Sequence, residues 1–473
     1  EEDFESWKAV FFPAMVEKYQ GSGDEIEDTR TTNAALRFRC IPCAPASPVI
    51  PNTDLFNSST KHFFNSVEAT VTCNREMRTP EDGGHTIHME LDISGTDLRY
   101  YTADNLAVIP DNSVEVVEMF SKCCGGFDLD QYIDIKSVVP DPKDGDSSVA
   151  SAFQHPFPTP CTIREIFTRF LAIDSIPRRS TIEKLAAYLT DDKQVSWLVD
   201  IVSKESKDTF TCKIEEEGRT YVSLLSKELS SCFIPLEDLL HILPTIQPRY
   251  YTIASSSTCY PSSVHLTVSV MERIAPSGTK VQGFCSSFLH GLVPGHGRCR
   301  IFTRESVFRL PPNILTPIIM IGPGSGIAPM RALLQERKFR ADREGVPIAE
   351  VTNILYFGCK SRNRDFLYQE ELIAAVADGR LTSLKLAFSR EQREKIYVQT
   401  IMTEEENASE LANLIVDRGA HVFLCGGTAM GQCVQETLTH ILSERKGMTI
   451  DEASAFLKTM QNNKIYKREL WSI

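Results

Sequence analysis

The chain has 473 residues, which is too long for one compact core and predicts two to four domains. Its formal net charge of −13, from 63 acidic and 50 basic residues, argues against nucleic acid as a partner. Hydrophobic residues make up 42%, and no apolar run approaches the roughly 20 residues that span a bilayer, so we expect a soluble globular chain. The 14 cysteines lack the spacing of a disulfide framework, which favours reduced thiols in a cytosolic compartment.

The first predicted element is an amphipathic helix over Phe4–Tyr19, where apolar residues recur at helical spacing. A Gly-Ser-Gly-Asp turn at residues 21–24 and prolines at every third position from Pro42 to Pro51 follow, and predict a linker over residues 21–54. The chain begins at Glu1 without an initiating Met. We therefore interpret residues 1–20 as the last helix of a preceding domain.

Residues 55–312 carry strand patterns on both sides of a helical stretch. The predicted strands are Val67–Val71, Thr86–Ile93, Leu106–Pro110, Arg249–Ala254, Val264–Met271 and Arg300–Thr303. Residues 113–244 between them show mainly helical periodicity. The simplest arrangement is an antiparallel β-barrel formed by residues 55–112 and 245–312, interrupted by a helical connecting domain at residues 113–244.

Strands and helices alternate over residues 313–473. The predicted strands are Ile318–Ile321, Ile354–Phe357, Leu384–Phe388 and Val422–Cys425. Each is followed by a helical pattern, such as Ala328–Phe339. This alternation predicts a parallel sheet covered by helices.

A glycine-rich turn at residues 322–329, Gly-Pro-Gly-Ser-Gly-Ile-Ala-Pro, lies between a predicted strand and a predicted helix. Glycines allow a pyrophosphate to approach the backbone, and the following helix N-terminus offers free N–H groups. The G-x-G-x-x-G spacing is not met, and such turns also occur without a nucleotide. Its place at a strand–helix junction favours a nucleotide site that includes Ser325.

Two further motifs have the chemistry of a flavin site. In Arg249–Ser256, Arg249 can bind a pyrophosphate, an aromatic residue can stack on an isoalloxazine ring, and a hydroxyl can bond a ring nitrogen. An ordinary strand with a polar edge is the alternative. The stretch Gly283–Leu289 is a Gly-Ser turn that opens a helix and can make a second phosphate contact.

These three motifs, in this order, resemble the ferredoxin–NADP reductase superfamily, and the helical insertion narrows the resemblance to the diflavin reductases. The stretches similar to the cytochrome P-450 reductases among them are His155–Pro158, Phe308–Pro311, Ala387–Glu391, Tyr397–Gln399 and Leu470–Ser472. The resemblance covers nearly the whole chain. It implies a multidomain β + α/β fold of the ferredoxin–NADP reductase type: an antiparallel FAD-binding β-barrel with a helical insertion, then a parallel α/β NADPH-binding domain over residues 313–473.

The resemblance implies that Arg249 grips a phosphate of FAD, Tyr251 stacks on the flavin and Thr252 contacts its N5 region. The family usually has Ser at the position of Thr252, which keeps the hydroxyl. The other residues implied to bind FAD are Arg219, Thr267, Val268, Ser269, Gly283, Phe284, Cys285, Ser286 and Trp471.

The resemblance also implies an NADPH site. The residues concerned are Arg75, Ser325, Ser389, Arg390, Lys395, Tyr397 and Gln399. The cations Arg390 and Lys395, with the neighbouring hydroxyls, suit a 2′-phosphate, whereas an NAD site would offer a carboxylate to the ribose. Because these cations alternate with glutamates, a solvated charge run is the alternative.

The implied catalytic group consists of Thr252, Cys425, Glu469 and Trp471. Trp471 would cover the flavin and move for the nicotinamide, Cys425 would lie beside the nicotinamide, and Glu469 would share a proton network with Thr252. The family carries Asp at the position of Glu469. A buried strand thiol is the alternative interpretation of Cys425.

The implied activity is hydride transfer from NADPH to FAD. In the intact protein, electrons would pass to FMN, which belongs to an FMN domain outside this chain, and then to a cytochrome P-450 or other haemoprotein. The implied location is the cytosolic face of the endoplasmic reticulum, with membrane contact only through a missing N-terminal anchor.

The alternatives are another diflavin reductase, of the sulfite reductase flavoprotein or nitric oxide synthase type, and a non-catalytic NADPH-binding module. The C-x-x-C motif Cys40–Cys43 lies in the proline-rich linker, which disfavours redox or zinc use. The ten histidines lack metal-ligand spacing, so the sequence predicts no metal site.

Overall fold

The computed structural model describes residues 38–50, 60–137, 155–203 and 207–471. The predicted helix Phe4–Tyr19, most of the predicted linker and the terminal Ser472 lie outside these ranges. Within them, every helix is too short or too polar to pass through a lipid bilayer.

The strands are β1 Phe38–Pro42, β2 Val67–Glu76, β3 His85–Asp92, β4 Asn105–Ile109, β5 Tyr132–Ser137, β6 Cys161–Thr162, β7 Arg249–Thr252, β8 Ser263–Val270, β9 Glu272–Ile274, β10 Lys280–Gln282, β11 Arg298–Arg304, β12 Ile318–Ile321, β13 Asn353–Cys359, β14 Ser383–Phe388, β15 His421–Gly427 and β16 Tyr466–Trp471. The α-helices are His62–Asn65, Val114–Cys123, Ile163–Arg169, Arg179–Ile182, Asp192–Val202, Lys207–Phe210, Tyr221–Ser226, Leu236–Ile242, Phe284–Gly291, Ile327–Glu344, Gln369–Ala377, Val398–Met402, Glu405–Ala412, Thr428–Lys446 and Ile450–Asn462. Short 3₁₀ or π segments lie at Pro80–Asp82, Glu183–Tyr188, Thr211–Glu216, Gly324–Gly326, Ile348–Glu350 and Asn413–Asp417.

The predicted barrel is a six-stranded antiparallel sheet in the order β7-β4-β11-β2-β3-β8. All six strands predicted for this region are present. In β3, Ile87, Met89 and Leu91 face the barrel core. The intervening His88 is also buried, because the outer face of this strand is covered by the second domain.

The inserted region contains a small sheet besides its helices. Strand β1 pairs antiparallel with β5, which in turn pairs with β6. Within the predicted linker of residues 21–54, Phe38–Pro42 is therefore a paired strand. Phe38 is buried and its ring stacks on His241 at 4.3 Å, so this segment has a packing partner that the proline spacing concealed.

The second domain contains a five-stranded parallel sheet in the order β14-β13-β12-β15-β16. The four strands predicted here correspond to β12 to β15. The apolar residues of β12, β13 and β15 are buried between helices on both faces, and those of the edge strand β14 are mostly half-buried. Strand β16 completes one edge, with Glu469 beside Cys425 in the register. The glycine turn and Gly426 therefore lie at the carboxyl edge, where open α/β sheets bind ligands.

A buried polar network joins the two domains. From the helix Ile327–Glu344, Arg331 donates to Ala254 O at 2.8 Å and to the His265 Nδ1 at 3.3 Å, both in the barrel. The guanidinium also pairs with Glu371 at 2.9 Å. Tyr368 adds a second contact, since its hydroxyl lies 2.7 Å from Thr267 Oγ1. Buried hydrogen bonds of this kind fix the relative position of the domains.

We predict that His265 makes the protein less stable in mild acid. The pKa of His265 is lowered from about 6.5 to about 4, first by burial and also by the positive charge of Arg331. The stabilising neutral form is fully present above pH 6.5, and its contribution is lost as pH falls towards 4, because the unfolded chain then binds the extra proton. His265→Gln should reduce the pH dependence of the unfolding free energy between pH 6.5 and 4 by about 1.4 kcal/mol per pH unit.

Urea titrations at several pH values measure this slope. The exposed His296 provides the control, and His296→Gln should retain the parent slope. An unchanged slope in His265→Gln would contradict the assignment.

Candidate active site

Glu469 lies at the junction of the two domains and accepts hydrogen bonds from three directions. The hydroxyl of Thr252 donates to its Oε2 at 2.9 Å, and Asn105 Nδ2 donates to its Oε1 at 3.2 Å. Ser306, in the segment between the domains, also donates to Oε1. Two predicted catalytic residues, Thr252 and Glu469, are thus brought into direct contact although 217 positions separate them.

Cys425 lies next to this carboxylate on β15 and is 1% exposed. Burial raises the pKa of its thiol well above the ordinary value, the charge of Glu469 raises it further, and a hydrogen bond with Thr252 works weakly against them. The thiol is therefore a neutral group at physiological pH. Such a thiol can serve as a small polarisable contact but not as a nucleophile.

Trp471 is two positions beyond Glu469 on the same strand, so both side chains project from the same face. The indole is 38% exposed, which is unusual for so large an apolar side chain at a domain junction. The strand therefore ends beside the Glu469 cluster in a partly exposed aromatic residue.

The glycine turn is pressed against this cluster. A Cβ on Gly326 would lie 2.2 Å from the carbonyl oxygen of Cys425, and a Cβ on Gly322 would lie 2.5 Å from that of Gly326. Gly324 has φ of +56°, which L side chains rarely adopt. The helix that follows has no side-chain cap, and its first N–H, that of Ile327, bonds back to the carbonyl oxygens of Gly324 and Ser325. A phosphate at the edge where Ser325 lies would therefore meet the backbone of the turn itself.

The residues predicted to bind NADPH surround this edge. Ser389 and Arg390 follow β14, and their backbone N–H groups bond to Cys359 O and Lys360 O at 3.0 and 2.9 Å. The Arg390 side chain is exposed and without a hydrogen bond or ion pair among the described residues. Gln399 Oε1 is buried without a partner there. An unpaired guanidinium can bind the phosphate of a ligand, and an unsatisfied amide oxygen can accept a hydrogen bond from another part of the same ligand.

The remaining predicted NADPH contacts are more open. Lys395 and Tyr397 are exposed beside Arg390. Arg75 is exposed on β2, and its charge reaches buried groups at the domain interface, including His88. Ser389, Arg390, Lys395, Tyr397 and Gln399 therefore all lie in one segment that follows β14, while Arg75 lies on the barrel.

The flavin-type motif lies on β7, an edge strand of the barrel. The Arg249 side chain is exposed without a partner among the described residues. Tyr251 is only half-buried, but its hydroxyl is enclosed: burial and then Cys285 raise its pKa well above the ordinary value. A free guanidinium can bind a pyrophosphate, and a partly exposed aromatic ring can stack on a planar ring system.

The loop Gly283–Ser286 opens the helix Phe284–Gly291 without a side-chain cap. A Cβ on Gly283 would lie 2.8 Å from Ser286 Oγ and 2.9 Å from Met271 Cβ, so only glycine fits. Ser286 Oγ accepts from the Met271 N–H at 3.1 Å and fixes the loop against the end of β8. This loop fits a pyrophosphate that accepts from the uncapped N–H groups.

Other predicted FAD contacts are already engaged within the protein. Val268 is completely buried in the barrel core, and Thr267 binds Tyr368, whereas Ser269 is exposed. Arg219 is ion-paired with Glu228. Contacts from Thr267 and Val268 to a cofactor would therefore use their backbone, on the open side of edge strand β8.

Two residues of the cluster, Asn105 and Ser306, escaped the sequence analysis. Asn105 lies opposite Thr252 in the antiparallel pairing of β4 and β7. Ser306 is 7% exposed, and its Oγ also accepts from the Phe308 N–H at 2.9 Å. Asn105 could have been noticed in the sequence as a polar residue at the start of an apolar strand. No sequence pattern marks Ser306.

Comparisons with known proteins agree with this geometry. The family described as the FAD binding domain matches residues 58–288, and the family described as the oxidoreductase NAD-binding domain matches residues 320–436. The NADPH–cytochrome P450 reductase of Musca domestica is 35% identical over the whole of this chain and 69% of its own length. Those of Drosophila melanogaster and Homo sapiens are 34% and 31% identical over the whole chain and 68% and 69% of their own lengths.

We predict that Cys425 resists alkylation in the folded protein. Iodoacetamide at pH 8 should label the exposed Cys433 quickly and leave Cys425 unlabelled, because the buried thiol stays protonated beside Glu469. Peptide mass spectrometry of folded and urea-unfolded samples measures both sites in one experiment. Labelling of Cys425 as fast as Cys433 would show that the thiol is accessible and ionised.

Proposed function

The chain belongs to the NADPH–cytochrome P450 reductase family, and from this premise we propose that hydride transfer occurs at the cluster of Thr252, Cys425 and Glu469. It is an NADPH-dependent flavoprotein reductase with an FAD-binding and an NADP-binding domain. The observation that carries the proposal is the hydrogen bond from Thr252, beside the flavin-type motif, to Glu469, which adjoins Cys425 at the nucleotide edge.

FAD, held by the barrel, would supply a hydride acceptor that can also give up its electrons one at a time. The protein orients the two rings. Thr252 presents a hydroxyl whose direction is set by Glu469, and Cys425 supplies a neutral surface. Loss of a hydride leaves positive charge on a nicotinamide ring, and a carboxylate close to that ring favours this charge.

Trp471 excludes water from the flavin in this proposal. Its exposed indole follows Glu469 at the end of β16, so it is free to turn aside without disturbing the core. Displacing the indole consumes part of the binding energy of the coenzyme. Contacts to the 2′-phosphate supply that energy. The choice of coenzyme is therefore linked to the access of the nicotinamide to the flavin.

Selection of NADPH is assigned to the surface that carries Arg390, Lys395 and Gln399. Arg390 is exposed at the carboxyl end of β14, and its unpaired guanidinium can form two parallel hydrogen bonds with a phosphate. The neighbouring hydroxyls of Ser389 and Tyr397 add two donors. These groups favour the additional phosphate of NADPH over the bare ribose of NADH.

Electrons from FAD are proposed to pass to the FMN domain of the same protein and then to a cytochrome P450 or another haemoprotein. The support is the name of the relatives, which match this chain over its full length and extend beyond it. The location proposed for the intact protein is the cytosolic face of the endoplasmic reticulum, as the family resemblance implies.

We predict that the purified, FAD-loaded chain reduces ferricyanide with NADPH but barely reduces cytochrome c. Ferricyanide accepts electrons from FAD directly, whereas the proposed route to haemoproteins requires FMN. Steady-state rates with both acceptors, and anaerobic bleaching of the flavin by NADPH, test this. A flavin that NADPH does not bleach would favour the non-catalytic nucleotide-binding module, and equal rates would remove the need for FMN.

We also predict that Arg390→Ala weakens NADPH binding by about 1.5–3 kcal/mol and leaves NADH binding nearly unchanged, because only NADPH carries the 2′-phosphate. Michaelis constants for both coenzymes measure the effect. Arg393→Ala, an exposed cation in the same segment, is the matched control and should change neither constant by as much. Equal weakening of both coenzymes by Arg390→Ala would place the phosphate site elsewhere.

A further inference from the structure

Three potential metal ligands meet at the rim of the barrel, outside the Glu469 cluster. They are Glu76 at the end of β2, His85 at the start of β3 and His290 in the last turn of the helix Phe284–Gly291. One ligand atom from each lies within 4.8 Å of the other two. His85 and His88 lie on opposite faces of β3, so this cluster is separated by the sheet from the buried polar network.

The Glu76 carboxylate is oriented by the backbone before any ion binds. Its Oε1 accepts from the N–H groups of Met77, Arg78 and Thr86 at 3.0, 3.0 and 2.9 Å. Its Oε2 faces His85 Nδ1 at 2.7 Å. With Oε1 held by three backbone donors, Oε2 is left pointing at the two imidazoles.

The third ligand lies on a fixed backbone. Asn74 Nδ2 donates to the carbonyl oxygens of Leu289, His290 and Leu292 at 3.0, 3.2 and 2.8 Å and so holds the end of the helix. The His290 ring lies 4.9 Å from the His85 ring, centroid to centroid, and forms no hydrogen bond or ion pair with the described residues. An imidazole held beside another imidazole and a carboxylate, with no partner of its own there, is available to a cation.

A second His-Glu-His group lies at the domain interface, formed by His88, Glu90 and His265. It has the same composition but a different environment, because Arg331 donates to His265 Nδ1 at 3.3 Å. That bond places the remaining imidazole proton on Nε2, which faces Glu90 at 4.0 Å and is the atom a metal would need. A guanidinium in direct contact also repels a second cation, so this group is a domain contact.

We propose that Glu76, His85 and His290 form a binding site for a divalent transition-metal ion of the zinc type. Two imidazole nitrogens and one carboxylate oxygen are ligands that zinc prefers, and the exposed position leaves a fourth place for water. The ion displaces the proton shared by His85 and Glu76 and draws in the exposed His290 ring to the usual bond length of about 2.0–2.1 Å. It thereby ties the β2–β3 hairpin to the helix that begins after Gly283.

The test is isothermal titration of the purified full chain with ZnCl₂, after iodoacetamide has blocked the exposed thiols of Cys212, Cys259 and Cys433, since thiolates also bind zinc. We expect one site of defined stoichiometry. His290→Gln and Glu76→Gln should each weaken it by at least about tenfold, a loss typical for perturbed metal sites. His296→Gln, which alters an exposed histidine outside the cluster, should leave the affinity unchanged.

Circular dichroism establishes that each variant is folded, and a zinc-dependent rise of the melting temperature that is lost in His290→Gln supplies a second readout. Absence of a site, or equal affinity in His290→Gln and His296→Gln, would overturn the proposal. Loss of binding in His88→Gln with retention in His290→Gln would also overturn it, because the ion would then belong to the interface group. None of these readouts depends on reductase activity.

Discussion

The geometry of the candidate active site depends on the hydrogen bonds that the Glu469 carboxylate accepts. Thr252 and Asn105 donate from the barrel, and Ser306 donates from the connecting segment. A carboxylate with donors on both oxygens has little freedom to rotate, and the donors lie on elements that are otherwise far apart in sequence. The edge strand β16, and with it the position of Trp471, is therefore fixed relative to the barrel.

The glycine turn imposes a second constraint on the same edge. Gly326 approaches the carbonyl of Cys425 so closely that a Cβ there would lie 2.2 Å from the oxygen. The nucleotide turn and the strand bearing Cys425 are consequently in backbone contact, with no side chain between them. A ligand phosphate bound at the turn thus lies at a fixed distance from Cys425 and Glu469, which is the condition for orienting a reactive ring.

Much of the fold could be predicted from the sequence because the buried strands carry uninterrupted apolar runs, as in Ile318–Ile321, and because turn residues bound them. Pairings between distant segments could not be predicted in this way. Strand β1 was hidden by prolines, and its partner β5 lies far along the chain: Phe38 pairs with Ser137, 99 positions later. Periodicity reports which face of an element is buried, but it does not identify the partner.

The residues of the candidate site were likewise only partly predictable from the sequence. Thr252, Cys425 and Glu469 were predicted through the family resemblance, whereas Asn105 and Ser306 became visible only when folding aligned them with Glu469. The proposed metal ligands show more clearly what cannot be predicted from the sequence. His290 is 205 positions from His85, so linear spacing carries no signal, and only the packing of one helix end on a hairpin brings their rings within 4.9 Å.

The two interfaces of the nucleotide domain converge on one short segment of the barrel. Thr252 donates to Glu469, and two positions later the carbonyl of Ala254 accepts from Arg331. Between them, the Ile253 N–H bonds to Asp104 O at 2.8 Å in the barrel itself. The segment that follows Tyr251 is therefore held at three successive residues, twice by the second domain and once by the first. If Tyr251 contacts the flavin ring, as the family resemblance implies, these contacts of residues 252–254 would hold that ring in a defined position relative to the nucleotide domain.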